Sequence, residues 1–165
     1  MLILGLDPGS RATGYALVES SGSRLWARAH GCLRVSPKEP LALRLASLGR
    51  QLEELLARWP IEVAVLETPF HGLNVRSLIV LAQARGTLLA TLGSRGLDVV
   101  EYSPAEIKGA VTGNGRADKQ QVARMVAALL ALEQEPEGFD ATDALAVAIC
   151  YAHRYRMDRI GREGD

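Results

Sequence analysis

Cysteine is scarce in this sequence, which limits the metal and redox chemistry that the chain can carry. Cys32 and Cys150 are the two cysteines among 165 residues. They lie in different predicted elements, and no Cys-x-x-Cys or Cys/His spacing surrounds either of them. The sequence therefore predicts reduced thiols and no zinc site.

An excess of charge and long apolar segments are also lacking. Nineteen basic residues balance 19 acidic ones, and a formal net charge of +0 does not by itself predict a nucleic-acid-binding protein. Gly, Arg or Glu interrupts the apolar stretches before they reach the roughly 18 residues of a membrane-spanning helix. The chain opens on a strand-like segment without the basic and apolar regions of a signal peptide. We therefore expect a cytoplasmic protein with no membrane partner.

The order of predicted elements indicates one mixed α/β domain over residues 1–156, followed by a polar, flexible tail over 157–165. Apolar patterns indicate strands at 2–6, 13–19, 24–35, 61–67 and 97–102. Helical spacing and capping signals indicate helices at 40–59, 74–92, 103–113, 118–132 and 140–155. The first three strands form an antiparallel meander, and helical crossovers add the other two strands to the sheet.

Two carboxylates come at the ends of apolar strands. Asp7 follows the first strand and Glu67 closes the fourth. If these strands are parallel neighbours, both side chains lie at the carboxyl edge of the sheet, where open α/β sheets place their sites. Asp7 has an alternative interpretation, because Asp-Pro-Gly also fits a type II turn with Gly9 at positive φ.

Asp140 and Asp143 begin the last predicted helix. Their i, i+3 spacing places both side chains on one face of its first turn. The alternative is a helix cap, with Asp140 as the N-cap residue and Asp143 three residues later. If the helix crosses the sheet edge, four carboxylates converge. Oxygen ligands without His or Cys suit Mg²⁺ or Mn²⁺, and two such ions promote in-line hydrolysis of a phosphodiester.

Five motifs, in order along nearly the whole chain, resemble the RuvC family of Holliday-junction resolvases: GLDPGSRATGYALV, LETPFHGLN, LAQARGT, VTGNGRADKQQV and DATDALAVAI. The resemblance implies an RNase H-like fold with a five-stranded mixed sheet. It also implies a homodimer that makes Mg²⁺-dependent paired nicks across a four-way DNA junction. By the same resemblance, the homodimer would work with a branch-migration helicase complex. The catalytic, metal-binding carboxylates would be Asp7, Glu67, Asp140 and Asp143.

The same comparison places the DNA-binding residues on two loops, on the helices that follow them, and on the helix before the second loop, which carries Lys108. Phe70 would stack on an unpaired base at the junction, although a loop aromatic can also fold back onto the core. The glycine-rich turn at 112–119 would bind a phosphate through exposed N–H groups and basic side chains, or it is a plain interhelical turn. The full set of predicted DNA contacts is Phe70, Asn74, Arg76, Lys108, Gly113, Gly115, Arg116 and Lys119.

Other functions share parts of this pattern. The first motif also resembles the phosphate loop of actin-like sugar kinases and ATPases, but those enzymes need two such domains and 165 residues supply one. A related single-domain nuclease family that processes ribosomal RNA ends shares the same motif. A junction-binding protein without catalytic activity is a third alternative.

Hydrolysis by the resolvase would leave a 5′-phosphate and a 3′-hydroxyl that ligase can rejoin.

Overall fold

A five-stranded mixed sheet forms the centre of the chain in the computed structural model, which describes residues 1–69, 74–134 and 138–163. The strands are β1 (Leu2–Asp7), β2 (Ala12–Ser21), β3 (Arg24–Arg34), β4 (Val63–Glu67) and β5 (Asp98–Tyr102). The helices are α1 (Leu41–Arg58), α2 (Val75–Ser94), α3 (Pro104–Thr112), α4 (Lys119–Leu129) and α5 (Phe139–Glu163).

The strand order is β3-β2-β1-β4-β5. β1, β2 and β3 are antiparallel neighbours, whereas β4 is parallel to β1 and β5 is parallel to β4. This arrangement confirms the predicted sheet, in which α1 and α2 are the crossovers that make β4 and β5 parallel additions.

Two hydrophobic cores cover the two faces of the sheet, which explains why no polar side chain precedes the final acid of β1 or of β4. On one face, Ile3 and Val65 pack with α3, α4 and α5. On the other face, Leu4 and Leu66 pack with α1 and α2. Successive residues of a strand point to opposite faces, so the two apolar runs serve both cores.

Helix α5 lies directly on β1 because one strand position has no side chain. A Cβ on Gly5 would lie 2.2 Å from the carbonyl oxygen of Ala144. The facing positions of the helix are alanines, including Ala144 and Ala148, and both are buried. Small residues on strand and helix therefore bring the start of α5 close to the sheet edge.

Two helix ends differ from the prediction by three residues or more. Helix α4 ends at Leu129, before the predicted residue 132, because Ala131 adopts a positive φ of 50° that a helix cannot continue through. Helix α5 continues past residue 155 to Glu163, so the first part of the predicted tail is helical. No Gly or Pro interrupts that segment before Gly161.

Among the described helices, α2 is long and apolar enough to cross a membrane, judged by length and composition alone. This differs from the expectation, based on the interrupted apolar stretches, that no segment is long and apolar enough to span a membrane. Core helices of globular proteins pass the same test, and α2 buries Leu88 and Leu92 fully against the sheet. Its first turns differ, because Val75, Leu78 and Ile79 are exposed.

Candidate active site

Asp7 and Glu67 lie side by side at the carboxyl edge of the sheet. They end the parallel neighbours β1 and β4, whose register pairs Leu6 with Leu66. The Asp7 carboxyl group hydrogen-bonds to the Glu67 carboxylate. The predicted meeting of these two acids is confirmed. The alternative type II turn is wrong in one respect, because Gly9 does not have a positive φ. Glycine is needed at this position for a different reason: a Cβ would lie 2.1 Å from the carbonyl oxygen of Ala12.

The first turn of α5 brings Asp140 and Asp143 to the same edge. The helix begins at Phe139, so Asp140 lies inside the first turn and is not the N-cap residue of the alternative interpretation. Gly14 of β2, which pairs with Asp7, permits this approach. A Cβ on Gly14 would lie 1.9 Å from the carbonyl oxygen of Asp140.

Electrostatic coupling joins all four carboxylates. Burial raises the pKa of Asp7 to about 8, and the charges of Glu67, Asp143 and Asp140 add to this increase in that order. Burial also raises the pKa of Glu67, with Asp143 as the next cause. In the absence of a cation, Asp7 therefore stays protonated, and its carboxyl group donates a hydrogen bond to the Glu67 carboxylate.

Lys119 places a positive charge at the edge of this cluster. Its Nζ lies 3.2 Å from Oδ2 of Asp143 and 5.1 Å from the centre of the Phe139 ring. Burial lowers the pKa of Lys119, but the carboxylates of Asp143, Asp7 and Glu67 outweigh burial and raise it. Lys108 lines the same cavity as Asp7 and Glu67. The two lysines flank the acids from α4 and α3.

The donor set suits a hard divalent cation, although its side chains are not arranged in advance around one. The available donors are carboxylate oxygens, and a divalent cation would relieve their mutual repulsion. Within the described part of the chain, no three His, Cys, Asp or Glu side chains already stand in position to hold a metal ion. The Lys119 ammonium group, paired with Asp143, supplies the balancing positive charge in this arrangement.

Two residues that were not among the predicted site residues contact the acids. Cys32 of β3 lies with its Sγ 3.9 Å from Oδ2 of Asp140, and burial followed by the Asp140 charge raises its pKa. Arg85 of α2 donates from Nη1 to the carbonyl oxygen of Glu67 at 2.8 Å. The strand register that pairs Cys32 with Gly14 brings the thiol to this edge of the sheet. No local sequence pattern predicts this position of Cys32.

The predicted DNA-binding residues occupy varied positions. Asn74 is the N-cap residue of α2, where its Oδ1 accepts a 2.9 Å hydrogen bond from the Ser77 amide. Arg76, two residues later, is exposed. Phe70 and His71 lie outside the described residues.

The glycine-rich turn between α3 and α4 satisfies much of its own backbone. Gly113 caps α3 with a φ of 76°, and a Cβ on Gly115 would lie 3.0 Å from the Ala105 carbonyl oxygen. The Asn114, Arg116 and Ala117 amides all donate within the turn. The expectation that its N–H groups are open to a phosphate is wrong for these three. The Arg116 side chain is exposed at this turn.

Comparison with known proteins identifies the family. The family profile described as "Crossover junction endodeoxyribonuclease RuvC" matches residues 3–151. The crossover junction endodeoxyribonuclease RuvC of Chlorobaculum parvum is 47% identical over 150 residues, which is 91% of this chain and 80% of the relative. That of Desulfitobacterium hafniense is 44% identical over 163 residues, or 98% of both chains. This chain belongs to the RuvC family.

Solved structures agree with this membership. Thermus thermophilus RuvC in complex with a Holliday junction substrate superposes with a TM-score of 0.91 at 30% identity over 96% of both chains. A yeast mitochondrial Holliday junction resolvase has a TM-score of 0.68 at 14% identity and covers 97% of this chain and 85% of its own, which shows a shared fold. The predicted five-stranded α/β architecture of the RuvC family is thus confirmed.

Proposed function

We propose that this chain is an endonuclease that resolves four-way DNA junctions by paired, symmetric nicks during recombination and repair. The observation that carries this proposal is the convergence of Asp7, Glu67, Asp140 and Asp143 at one sheet edge in a RuvC-family chain. Lysines flank these acids, as a site for a phosphodiester requires. The similarity to a RuvC structure that holds a Holliday junction substrate supports the choice of DNA.

The four carboxylates would hold Mg²⁺, with two ions at each site and Mn²⁺ able to substitute. Bound divalent ions supply the positive charge that lowers the pKa of an attacking water and stabilises the leaving oxygen of an in-line displacement. Asp7 must lose its proton before it can serve as a ligand, because its pKa is about 8 in the metal-free chain.

Basic side chains would hold the scissile strand against the acids. Lys108 lines the acidic cavity and is half-buried, so it lies within reach of a phosphate bound beside the acids. Lys119 would exchange its Asp143 partner for a DNA phosphate once cations neutralise the carboxylates. Arg116 and Arg76 would contact phosphates further away, Asn74, Gly113 and Gly115 would shape these contacts, and Phe70 would stack on an unpaired base.

The homodimer would form through the exposed apolar start of α2. Val75, Leu78 and Ile79 lie on successive turns and are 73%, 42% and 53% exposed in the single chain. Burial of such side chains stabilises an interface, and a two-fold dimer presents two equivalent sites to opposed strands of a junction. A cytoplasmic location and cooperation with a branch-migration helicase complex complete the proposal.

Cleavage of synthetic substrates tests this function. The purified protein is incubated with Mg²⁺ and a four-way junction with a mobile core, with linear duplex and an RNA/DNA hybrid as controls, beside Asp7→Asn. We expect paired symmetric nicks in the junction alone, rejoined by ligase, and none with the variant. Cleavage of RNA with an intact junction would favour the ribosomal-RNA nuclease. Tight junction binding without cleavage in Mg²⁺ or Mn²⁺ would leave a binding protein.

A further inference from the structure

Arg85 is a buried arginine behind the carboxylate cluster. The residue is 9% exposed, and its guanidinium makes two contacts. Nη1 donates to the main-chain carbonyl of Glu67 at 2.8 Å, and Nη2 lies 2.5 Å from Oε1 of Glu101 on β5. A buried guanidinium is costly unless partners of this kind compensate for its lost hydration, so both contacts are needed to keep it in place.

The Glu67 carbonyl lies where the strand pairing ends. The ladder between β1 and β4 reaches Leu6 and Leu66, one residue before Glu67. Pro8, which follows Asp7, has no N–H with which to extend that ladder. Thr68, the next residue of the chain, is held from β5 through its amide and the Tyr102 carbonyl at 2.8 Å. Arg85 therefore supplies a donor at the point where β4 ends its pairing with β1.

We propose that Arg85 is a positioning residue for Glu67, an inference that rests on the proposed nuclease function. The guanidinium holds the main chain at Glu67 and so fixes the position from which the Glu67 side chain extends. The carboxyl group of that side chain is hydrogen-bonded to Asp7. The guanidinium contacts the Glu67 carbonyl and pairs its charge with Glu101, so the Glu67 carboxylate keeps its own charge for a cation. A lysine has the same charge but no rigid fork of donors, so it cannot make both contacts with this geometry.

Arg85→Lys tests the inference against a matched control. Arg95, the C-cap residue of α2, also pairs with a glutamate, Glu53, but its side chain is 48% exposed and makes this contact outside the acidic cavity. Each variant is measured for Mn²⁺ affinity by calorimetry without DNA, for junction affinity without divalent ions, and for single-turnover cleavage. We expect Arg85→Lys to weaken Mn²⁺ binding and slow cleavage by about 10- to 100-fold while junction affinity stays unchanged. Arg95→Lys should match the wild type in all three.

A second variant keeps the test valid if Arg85→Lys does not fold. Arg85→Met/Glu101→Gln removes both charges, leaves no buried ion unpaired, and should show the same weakened Mn²⁺ binding. A folded Arg85 variant that binds Mn²⁺ and cleaves like the wild type would overturn the positioning role. Failure of the wild-type protein to cleave any junction would count against the proposed function instead, because the Mn²⁺ measurement does not depend on the substrate.

Discussion

Gly14 of β2 lies against the backbone of Asp140 at the start of α5. A Cβ at position 14 would come within 1.9 Å of the Asp140 carbonyl oxygen, a distance that no side chain tolerates. The same glycine pairs with Asp7 across the sheet. One position without a side chain thus sets how close an acid of the helix comes to an acid of the strand.

Gly14→Ala should therefore displace the first turn of α5. Overpacking of this kind costs about 1–3 kcal/mol, and we expect a lower Tm together with a loss of cleavage larger than the loss of stability explains. Thermal unfolding and single-turnover cleavage measure the two effects. Gly93→Ala is the matched control, because its Cβ would meet nothing within 4 Å and alanine is the better helix former. Equal behaviour of the two variants would refute this role of Gly14.

The raised pKa of Asp7 predicts how the stability of the metal-free protein depends on pH. Its folded pKa of about 8 lies above the ordinary 3.8, so the folded chain holds a proton that the unfolded chain releases between these values. The free energy of unfolding therefore falls as the pH rises from about 4 to about 8. Asp7→Asn should flatten this decline and raise the Tm at pH 8 in EDTA, although it abolishes cleavage.

Thermal unfolding across that pH range is the measurement, and Asp98→Asn, which changes an exposed acid of β5, is the control. The control should follow the wild-type curve. If Asp7→Asn declined as steeply as the wild type, the proton would reside elsewhere.

The two lysines should affect DNA binding differently when no divalent ion is present. Lys119 is paired with Asp143, whereas Lys108 lines the cavity as a half-buried side chain. Each phosphate that a lysine neutralises contributes about 0.9 to the slope of log affinity against log salt. We expect Lys108→Ala to reduce the slope by about one ion and Lys119→Ala to leave it nearly unchanged in EDTA.

Junction binding by fluorescence anisotropy at several salt concentrations provides these slopes. Lys38→Ala, an exposed lysine before α1, should match the wild type. An equal reduction for Lys108 and Lys119 would mean that DNA displaces Asp143 from Lys119 without help from a cation.

A charge on the exposed start of α2 should separate the proposed dimer. Ile79→Glu would bury a carboxylate at the apolar interface, which costs several kcal/mol, so we expect a monomer in sedimentation experiments at micromolar concentration. Met157→Glu, at a position of α5 that is 69% exposed, is the control and should remain dimeric. A dimer that persists in Ile79→Glu would place the interface elsewhere.

The strand ends were predictable because their signals are local. Apolar runs that stop at Asp7 and at Glu67 indicate two strand ends, and the crossover between them makes the strands parallel. The i, i+3 spacing of Asp140 and Asp143 likewise follows from helix geometry. The start of α5 was predicted at residue 140 because capping patterns fit several neighbouring positions. In the structure, the helix begins at Phe139.

By itself, the sequence determined which elements form, which residue types end them, and the family to which the chain belongs, since periodicity, caps and motifs are read along the chain. Only the tertiary structure decided that Lys119 pairs with Asp143, that Cys32 approaches Asp140, and that Arg85 holds the Glu67 carbonyl. These contacts join residues that are distant in sequence. They depend on strand register and on how closely a helix can approach the sheet at its glycine positions. Neither quantity can be predicted from a local sequence pattern.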